Sequence, residues 1–279
     1  MHIGVIGAGT MGHGIAQVCA MSGYTVTLAD ADPQQLQRAL AAVRSNLDKG
    51  IEKGKVTADA RDQALARLST GVLAEASTGA DLVIEAVPER LELKQALFRE
   101  VEAHAHAGCI LATNTSSLSI RAIGAALSDP GRLVGTHFFN PVHIMELLEI
   151  VVGDATRPEV VERVRAFGAQ IGKELIVVRD RPGFATSRLG VALGMEAIRM
   201  VEQEVASPED IDKAMVLGYR HPVGPLRLTD LVGLDVRMNI GEYLARELAN
   251  PAFEPPALMR RMVAEGRLGK KSGRGFYEW

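Results

Sequence analysis

The sequence predicts an α/β fold: a doubly wound, mostly parallel sheet with a helical-hairpin insertion, followed by an all-helical C-terminal domain. Three observations predict it. Residues 1 to 181 alternate short apolar strands with helical stretches, the pattern of a parallel sheet covered on both faces. The chain opens on an apolar strand that runs straight into Gly7, Gly9 and Gly12 and then into an apolar helix. After the proline and glycine of Arg179-Asp-Arg-Pro-Gly-Phe184 the strand pattern ceases, and residues 182 to 279 read as helices almost to the end.

The first strand, His2 to Ile6, feeds the glycines, each with a physical reason. Gly7 permits the tight turn, Gly9 lets backbone approach a pyrophosphate, and Gly12 lets the helix pack closely on the strand. Thr10 and Met11 sit where the helix opens, and its first N–H groups point at bound phosphates. Glycine-rich turns are common, so the context carries the reading: strand, loop, a helix from Met11 to Met21, and a second strand from Tyr24 to Ala29 that ends in Asp30. An acidic residue about 20 positions past the glycines is where a ribose 2′-hydroxyl is held. This is a Rossmann-type dinucleotide site. A carboxylate there repels the extra phosphate of NADP by up to about 4 kcal/mol at 4 Å and an effective dielectric near 20. NAD is therefore the expected cofactor.

An unusually long insertion, Pro33 to Leu68, follows, with helical spacing in LQRALAAVRSNL and again in ARDQALARL, so a helical hairpin is expected. It carries Arg44, Lys49, Lys53 and Lys55, which either hold the phosphates of a large acyl carrier such as coenzyme A or form a solvated helix face. Further strands are expected near 70–73, 81–87, 110–113, 132–138, 147–152 and 174–178. In the second domain, helices are expected over 184–204, from a Ser207 cap through Leu217, over 225–249 and over 255–265. Their apolar residues occupy more than one face, which points either to a homodimer or to packing on the first domain.

Composition narrows the function. The chain has 279 residues, 47% of them hydrophobic and 23% charged, enough for two domains and a proper core. A net charge of −3 gives no basic field for nucleic acid. No apolar run reaches the roughly 18 residues of a membrane span. Cys19 and Cys109 have no metal-ligand spacing and read as buried free thiols, which fits a reducing, cytoplasmic setting. No metal site is expected.

The chemistry-bearing stretch is Thr136-His137-Phe-Phe-Asn140-Pro141, followed by Glu146-Leu-Leu-Glu149. His137 falls late in an apolar strand, at the end where open α/β sheets bind ligands. If the next strand returns past it, Glu149 falls opposite. A carboxylate on one imidazole nitrogen would fix the tautomer and leave the other nitrogen to take a proton. Asn114-Thr115-Ser116-Ser117 either supplies hydroxyls and amides to a ligand above the sheet or caps the next helix. Glu85-Ala-Val-Pro-Glu89 with Lys94 is either a further ligand group or an ordinary surface pair at helical spacing.

With these residues in place, the chain resembles the 3-hydroxyacyl-CoA dehydrogenase family, in particular its short-chain members acting on 3-hydroxybutyryl-CoA. The match covers essentially the whole chain: GAGTMGHGIA, Asp30, EAVPE with Lys94, NTSSL, THFFNPVHIMELLEI, RPGF, ASPEDID, GYRHPVGPLRLTDLVGLD and KKSGRGFYEW. The resemblance implies reversible oxidation of an (S)-3-hydroxyacyl-CoA by NAD, with His137 as general base and Glu149 as its orienting partner. Ser116 and Asn140 would contact substrate and nicotinamide, and Glu89, Lys94 and Lys271 would be further NAD contacts. Lys53 would meet coenzyme A, and a dimer would form through the helical domain. The chain departs from the family pattern at Ser187, usually an asparagine that helps hold the reacting end of the substrate. It departs again at Asn46, which replaces a serine that touches coenzyme A in some members. Two other classes fit the glycine loop: a dehydrogenase of free hydroxy or sugar acids, and a non-catalytic NAD-binding structural protein. The presence of both His137 and Glu149 speaks against the second.

Overall fold

The computed structural model describes residues 1–279, which divide into two compact units, Met1–Asp180 and Arg181–Trp279. In the first unit the order is β1 (His2–Ile6), α1 (Thr10–Met21), β2 (Thr25–Ala29), α2 (Pro33–Glu52), α3 (Ala58–Arg67), β3 (Leu68–Gly71), α4 (Leu73–Ser77), β4 (Leu82–Glu85), α5 (Leu91–His104), β5 (Ile110–Thr113), α6 (Ile120–Gly124), β6 (Leu133–Phe138), β7 (Leu147–Val152), α7 (Pro158–Gln170) and β8 (Glu174–Arg179). The eight strands form one sheet in the order β3-β2-β1-β4-β5-β6-β7-β8. The chain reverses direction across the sheet at β1, between β2 and β4, which opens a ligand crevice at the carboxyl ends of these strands. The first six strands are parallel; β7 runs against β6, and β8 runs parallel to β7.

Strand interiors bury on both faces, as in the fully covered Leu82, Val83 and Ile84 of β4, because helices cover both sides of the sheet. The insertion is a helical hairpin of α2 and α3. Asp32 caps α2 by accepting from Gln34 N, Pro33 starts it, and Ala39, Val43 and Leu47, four apart, form its buried stripe.

In the second unit the elements are α8 (Thr186–Glu202), α9 (Pro208–Lys213), α10 (Pro225–Val232), α11 (Leu234–Leu248) and α12 (Ala257–Ala264). Its core gathers Val191, Met195, Ile198, Leu226, Leu234, Leu244, Met259 and Met262. Two expectations are corrected. The helix capped by Ser207 ends at Lys213 and continues to Gly218 only as wider π-type turns. The single helix expected over 225–249 is two, because Gly233 adopts φ +103°, outside the helical region and costly for a residue with a Cβ.

The end of α10 holds the C-terminal segment. Asp230, 1% exposed in the last turn of α10, accepts hydrogen bonds from Phe276 N (3.0 Å), Tyr277 N (2.9 Å) and Trp279 Nε1 (2.9 Å). The guanidinium of Arg227 lies over the Tyr277 and Trp279 rings at 5.2 and 4.8 Å. One buried carboxylate thus fastens the C-terminal segment. Asp230→Ala leaves those donors without their acceptor and is expected to cost about 2–3 kcal/mol. Limited proteolysis checks it: cleavage should begin in the last dozen or so residues, and unchanged resistance would contradict the assignment.

Candidate active site

The nucleotide end is built by the glycines. Gly7 has φ +100°, and a Cβ on Gly12 would come within 1.6 Å of the Gly7 carbonyl oxygen, so α1 packs on the turn only because both are glycine. Nothing lies within 4 Å of where a Cβ on Gly9 would stand, which leaves that backbone open to a ligand. A groove of about 1110 Å³ runs from Gly7, Gly9, Thr10 and Met11 past Asp30. Asp30 Oδ2 accepts from Ala8 N at 2.7 Å and its Oδ1 from Asp32 N at 2.9 Å, so the carboxylate is fixed at the groove wall. The shape and donor set fit NAD, with Asp30 at the ribose and the open amides of α1 at the pyrophosphate.

His137, next to last in β6, pairs in register with Glu149 of the antiparallel β7. The imidazole Nδ1 lies 2.9 Å from Glu149 Oε2, with His137 7% exposed and Glu149 fully buried. A carboxylate oxygen only accepts, so Nδ1 carries the hydrogen and Nε2 has the lone pair. β6 is parallel to β5, so His137 stands at the same edge of the sheet as the ends of β1 and β4. Phe139 stacks obliquely on the imidazole, ring centroids 4.4 Å apart. The arrangement provides a base whose protonated form has a buried counter-charge.

Next to it is an anchored turn. Glu89 Oε1 accepts from Thr115 Oγ1 (2.6 Å), Ser116 N (2.9 Å) and Ser117 N (3.1 Å), while Ser116 Oγ lies 3.3 Å away. The run 114–117 is therefore held by Glu89 rather than serving as the cap of α6, whose N-cap is Ser119. Lys94 is not the surface residue of an ordinary helical pair: its side chain is fully buried, with Nζ 2.6 Å from Glu85 Oε1 and 3.4 Å from Glu89 Oε2. It lies beneath the site and braces Glu89.

Burial pushes the Glu85 carboxyl up, and Lys94 and Thr113 only partly offset this. Burial also acts to raise Glu89, but Lys94 and the donors of 115–117 outweigh it and hold that carboxyl below its ordinary 4.5. Since its folded-state value is depressed, Glu89 contributes stability that is present above about pH 4.5 and lost as pH falls through the lower folded value. The Tm difference between the wild type and Glu89→Gln should therefore shrink as pH is lowered from about 6 to 3; a constant difference would contradict it.

The remaining predicted residues have definite places. Asn140 is exposed in the turn after β6. Asn46 donates to Gln17 Oε1 at 3.2 Å, tying α2 to α1, and Lys53 is exposed as the C-cap of α2. In the second unit, Ser187 lies in the first turn of α8, and Lys271 is paired with Asp235 at 2.6 Å. Glu85 and Asn114, which the sequence offered only as members of the runs 85–89 and 114–117, build the site from beneath. Asn114 Oδ1 accepts from Phe138 N at 2.8 Å and so ties the end of β5 to the strand end beside His137. The only signal for Glu85 was an ionisable residue closing an otherwise apolar strand.

A glycine-loop crevice, an acidic ribose anchor and a histidine–carboxylate pair on one sheet edge define the class of NAD-dependent dehydrogenases acting on an alcohol. Residues 2–181 match the NAD binding domain of 3-hydroxyacyl-CoA dehydrogenase, and residues 183–279 match its C-terminal domain. The chain belongs to the 3-hydroxyacyl-CoA dehydrogenase family. It is 41% identical to the "Probable 3-hydroxybutyryl-CoA dehydrogenase" of Bacillus subtilis, over 99% of this chain and 96% of that one. It is 42% identical to the "3-hydroxyadipyl-CoA dehydrogenase" of Escherichia coli, over 99% of this chain and 58% of that longer protein. The crystal structure of (S)-3-hydroxybutyryl-CoA dehydrogenase PaaH1 from Ralstonia eutropha superposes with a TM-score of 0.95 at 41% identity, covering 100% of this chain and 98% of that one.

Proposed function

We propose that this chain catalyses the reversible, NAD-dependent oxidation of a short-chain (S)-3-hydroxyacyl-CoA to the 3-ketoacyl-CoA. The observation that carries the chemistry is the His137–Glu149 pair at the sheet edge. His137 Nε2 takes the proton of the C3 hydroxyl, while the C3 hydrogen leaves as hydride for the nicotinamide; the ketone remains. Glu149 holds the imidazole in the tautomer that leaves Nε2 as acceptor and offsets the imidazolium charge. Ser116, fixed by Glu89, and Asn140 orient the reacting carbon and nicotinamide. NAD supplies the hydride acceptor, held by Gly7, Gly9, Thr10, Met11, Gly12, Asp30 and Glu89, with Lys94 bracing Glu89 and Lys271 as a further contact. Lys53 and Asn46 hold coenzyme A, and Ser187 meets the substrate. The 1–181 and 182–279 segments divide the work into cofactor binding, and substrate binding with dimerisation. A homodimer through the helical domain accounts for the large apolar residues it exposes, Leu189 (71%), Leu217 (73%) and Tyr219 (75%). The buried free thiols Cys19 and Cys109 support a reducing cytoplasmic setting.

Lys53 separates a thioester enzyme from one acting on a free acid. Its exposed ammonium is expected to contribute about 2- to 5-fold in binding, the scale of a solvent-screened charge pair. Lys53→Gln should raise KM for acetoacetyl-CoA by that factor and leave kcat nearly unchanged. An unchanged KM would remove Lys53 from the coenzyme A site.

A further inference from the structure

The turn between β1 and α1 is held by side chains as well as by its glycines. The N–H of Ala8 donates to Asp30 Oδ2 at 2.7 Å, and the Ala8 carbonyl accepts from Gln35 Nε2 at 2.8 Å. The Gly9 carbonyl faces His13 Nδ1 at 2.9 Å and accepts from His13 N at 3.2 Å. α1 has no side-chain cap, so its first N–H groups are left to a ligand.

Gln35, in the first turn of α2 and on the groove wall, fixes the plane of the Ala8–Gly9 peptide. That peptide is trans, the cis bond of the chain being Asn140–Pro141, so the Ala8 carbonyl and the Gly9 N–H point in opposite directions. Holding the carbonyl toward α2 therefore aims the Gly9 N–H away from α2. Gly9 cannot fix this plane itself, because without a Cβ its φ is little restrained. A plane turned the other way would offer a carbonyl oxygen, which repels a pyrophosphate.

The Gln35 amide is locked in its turn. Its Oε1 accepts from Arg38 Nε at 3.1 Å and Nη2 at 2.9 Å, and the same Nη2 donates to Asp32 Oδ2 at 2.9 Å. Flipping the amide would set its NH2 against the guanidinium and its oxygen against the Ala8 carbonyl, losing every one of these bonds. The Arg38 guanidinium also polarises the amide and strengthens the bond to Ala8.

We propose that Gln35 is a positioning residue for the cofactor: through the Ala8 carbonyl it aims the Gly9 N–H at the pyrophosphate, with Arg38 locking its amide. This rests on the groove as the NAD site and not on the identity of the substrate. Gln35 sets affinity for the pyrophosphate and leaves proton transfer alone, since His137 lies on β6, three places from β1 in the sheet.

The test is NADH binding by fluorescence titration, with ADP-ribose and adenosine as competitors, on the full-length wild type, Gln35→Met and Gln35→Asn. Methionine keeps the length without a donor, and asparagine keeps the amide one methylene short of the carbonyl; neither adds charge. Both variants should bind NADH and ADP-ribose about tenfold more weakly, the scale of one hydrogen bond to a charged group, with adenosine unchanged. At saturating NADH, kcat for acetoacetyl-CoA should stay within about twofold of wild type. Unchanged NADH binding in the variants overturns the inference, because the strand and glycines then hold the plane unaided. An equal loss for adenosine also overturns it and makes Gln35 a contact of the adenosine end. Should Gln35→Met fail to fold, the same comparison in Gln35→Asn decides. Absence of NADH binding by the wild type overturns the NAD site and this inference together. The expected binding pattern without turnover of acetoacetyl-CoA supports this inference and counts against the proposed function alone.

Discussion

Replacing His137 by glutamine is expected to lower kcat for acetoacetyl-CoA reduction by about 10²- to 10⁴-fold, the range that a positioned general acid–base contributes. Glutamine keeps a polar side chain at the strand end but cannot carry the proton. The fold should survive, because the strand register is set by backbone pairing between β6 and β7. NADH affinity should stay within about twofold, since the groove is lined by the end of β1, the glycine loop, the start of α1, Asp30 and the segment after β4, and not by His137. Glu149→Gln should follow in the same direction: an amide at 2.9 Å from Nδ1 removes the counter-charge and can also donate, which would put the hydrogen on the wrong nitrogen. Steady-state rates with a fluorescence titration of NADH separate the two quantities. A kcat within threefold or so of wild type in His137→Gln would remove it from the chemistry.

The largest stability effect is expected at Lys94. Lys94→Met leaves the fully buried Glu85 carboxylate without its ammonium, and breaking a buried pair from one side costs about 3–5 kcal/mol. For a unit the size of Met1–Asp180 that is a fall in Tm of roughly 6–20 °C. The loss comes from the stranded charge more than from the missing attraction. The double variant Glu85→Leu with Lys94→Met should therefore recover much of it, as buried pairs replaced by apolar groups often do. Thermal unfolding by circular dichroism gives both numbers. A single variant within about 1 kcal/mol of wild type would mean that the buried Lys94–Glu85 pair contributes little to the stability of this unit.

Much of this was legible in the sequence, and the exceptions have causes. The strand–glycine–helix opening is readable because each glycine answers a local backbone demand, and the structure realises those demands in the φ of Gly7 and the contact at Gly12. The pairing of His137 with Glu149 was readable because an Asn-Pro turn between two apolar runs fixes where the chain can return. Lys94 was not. Helical spacing gives neighbours on a helix but not which face the sheet will cover, so a buried ion pair looks the same as a surface one. The division of α10 from α11 was hidden for a similar reason: a lone glycine in a helical pattern is tolerated, and the φ of +103° that makes Gly233 a break leaves no mark in the sequence.

The most direct test of the central claim is oxidation of NADH by the purified protein with acetoacetyl-CoA, run beside free acetoacetate. Oxidation with the thioester and little or none with the free acid is the result expected of a 3-hydroxyacyl-CoA dehydrogenase. Oxidation with acetoacetate at an equal or higher rate, or with neither compound while NADH binds, would contradict it.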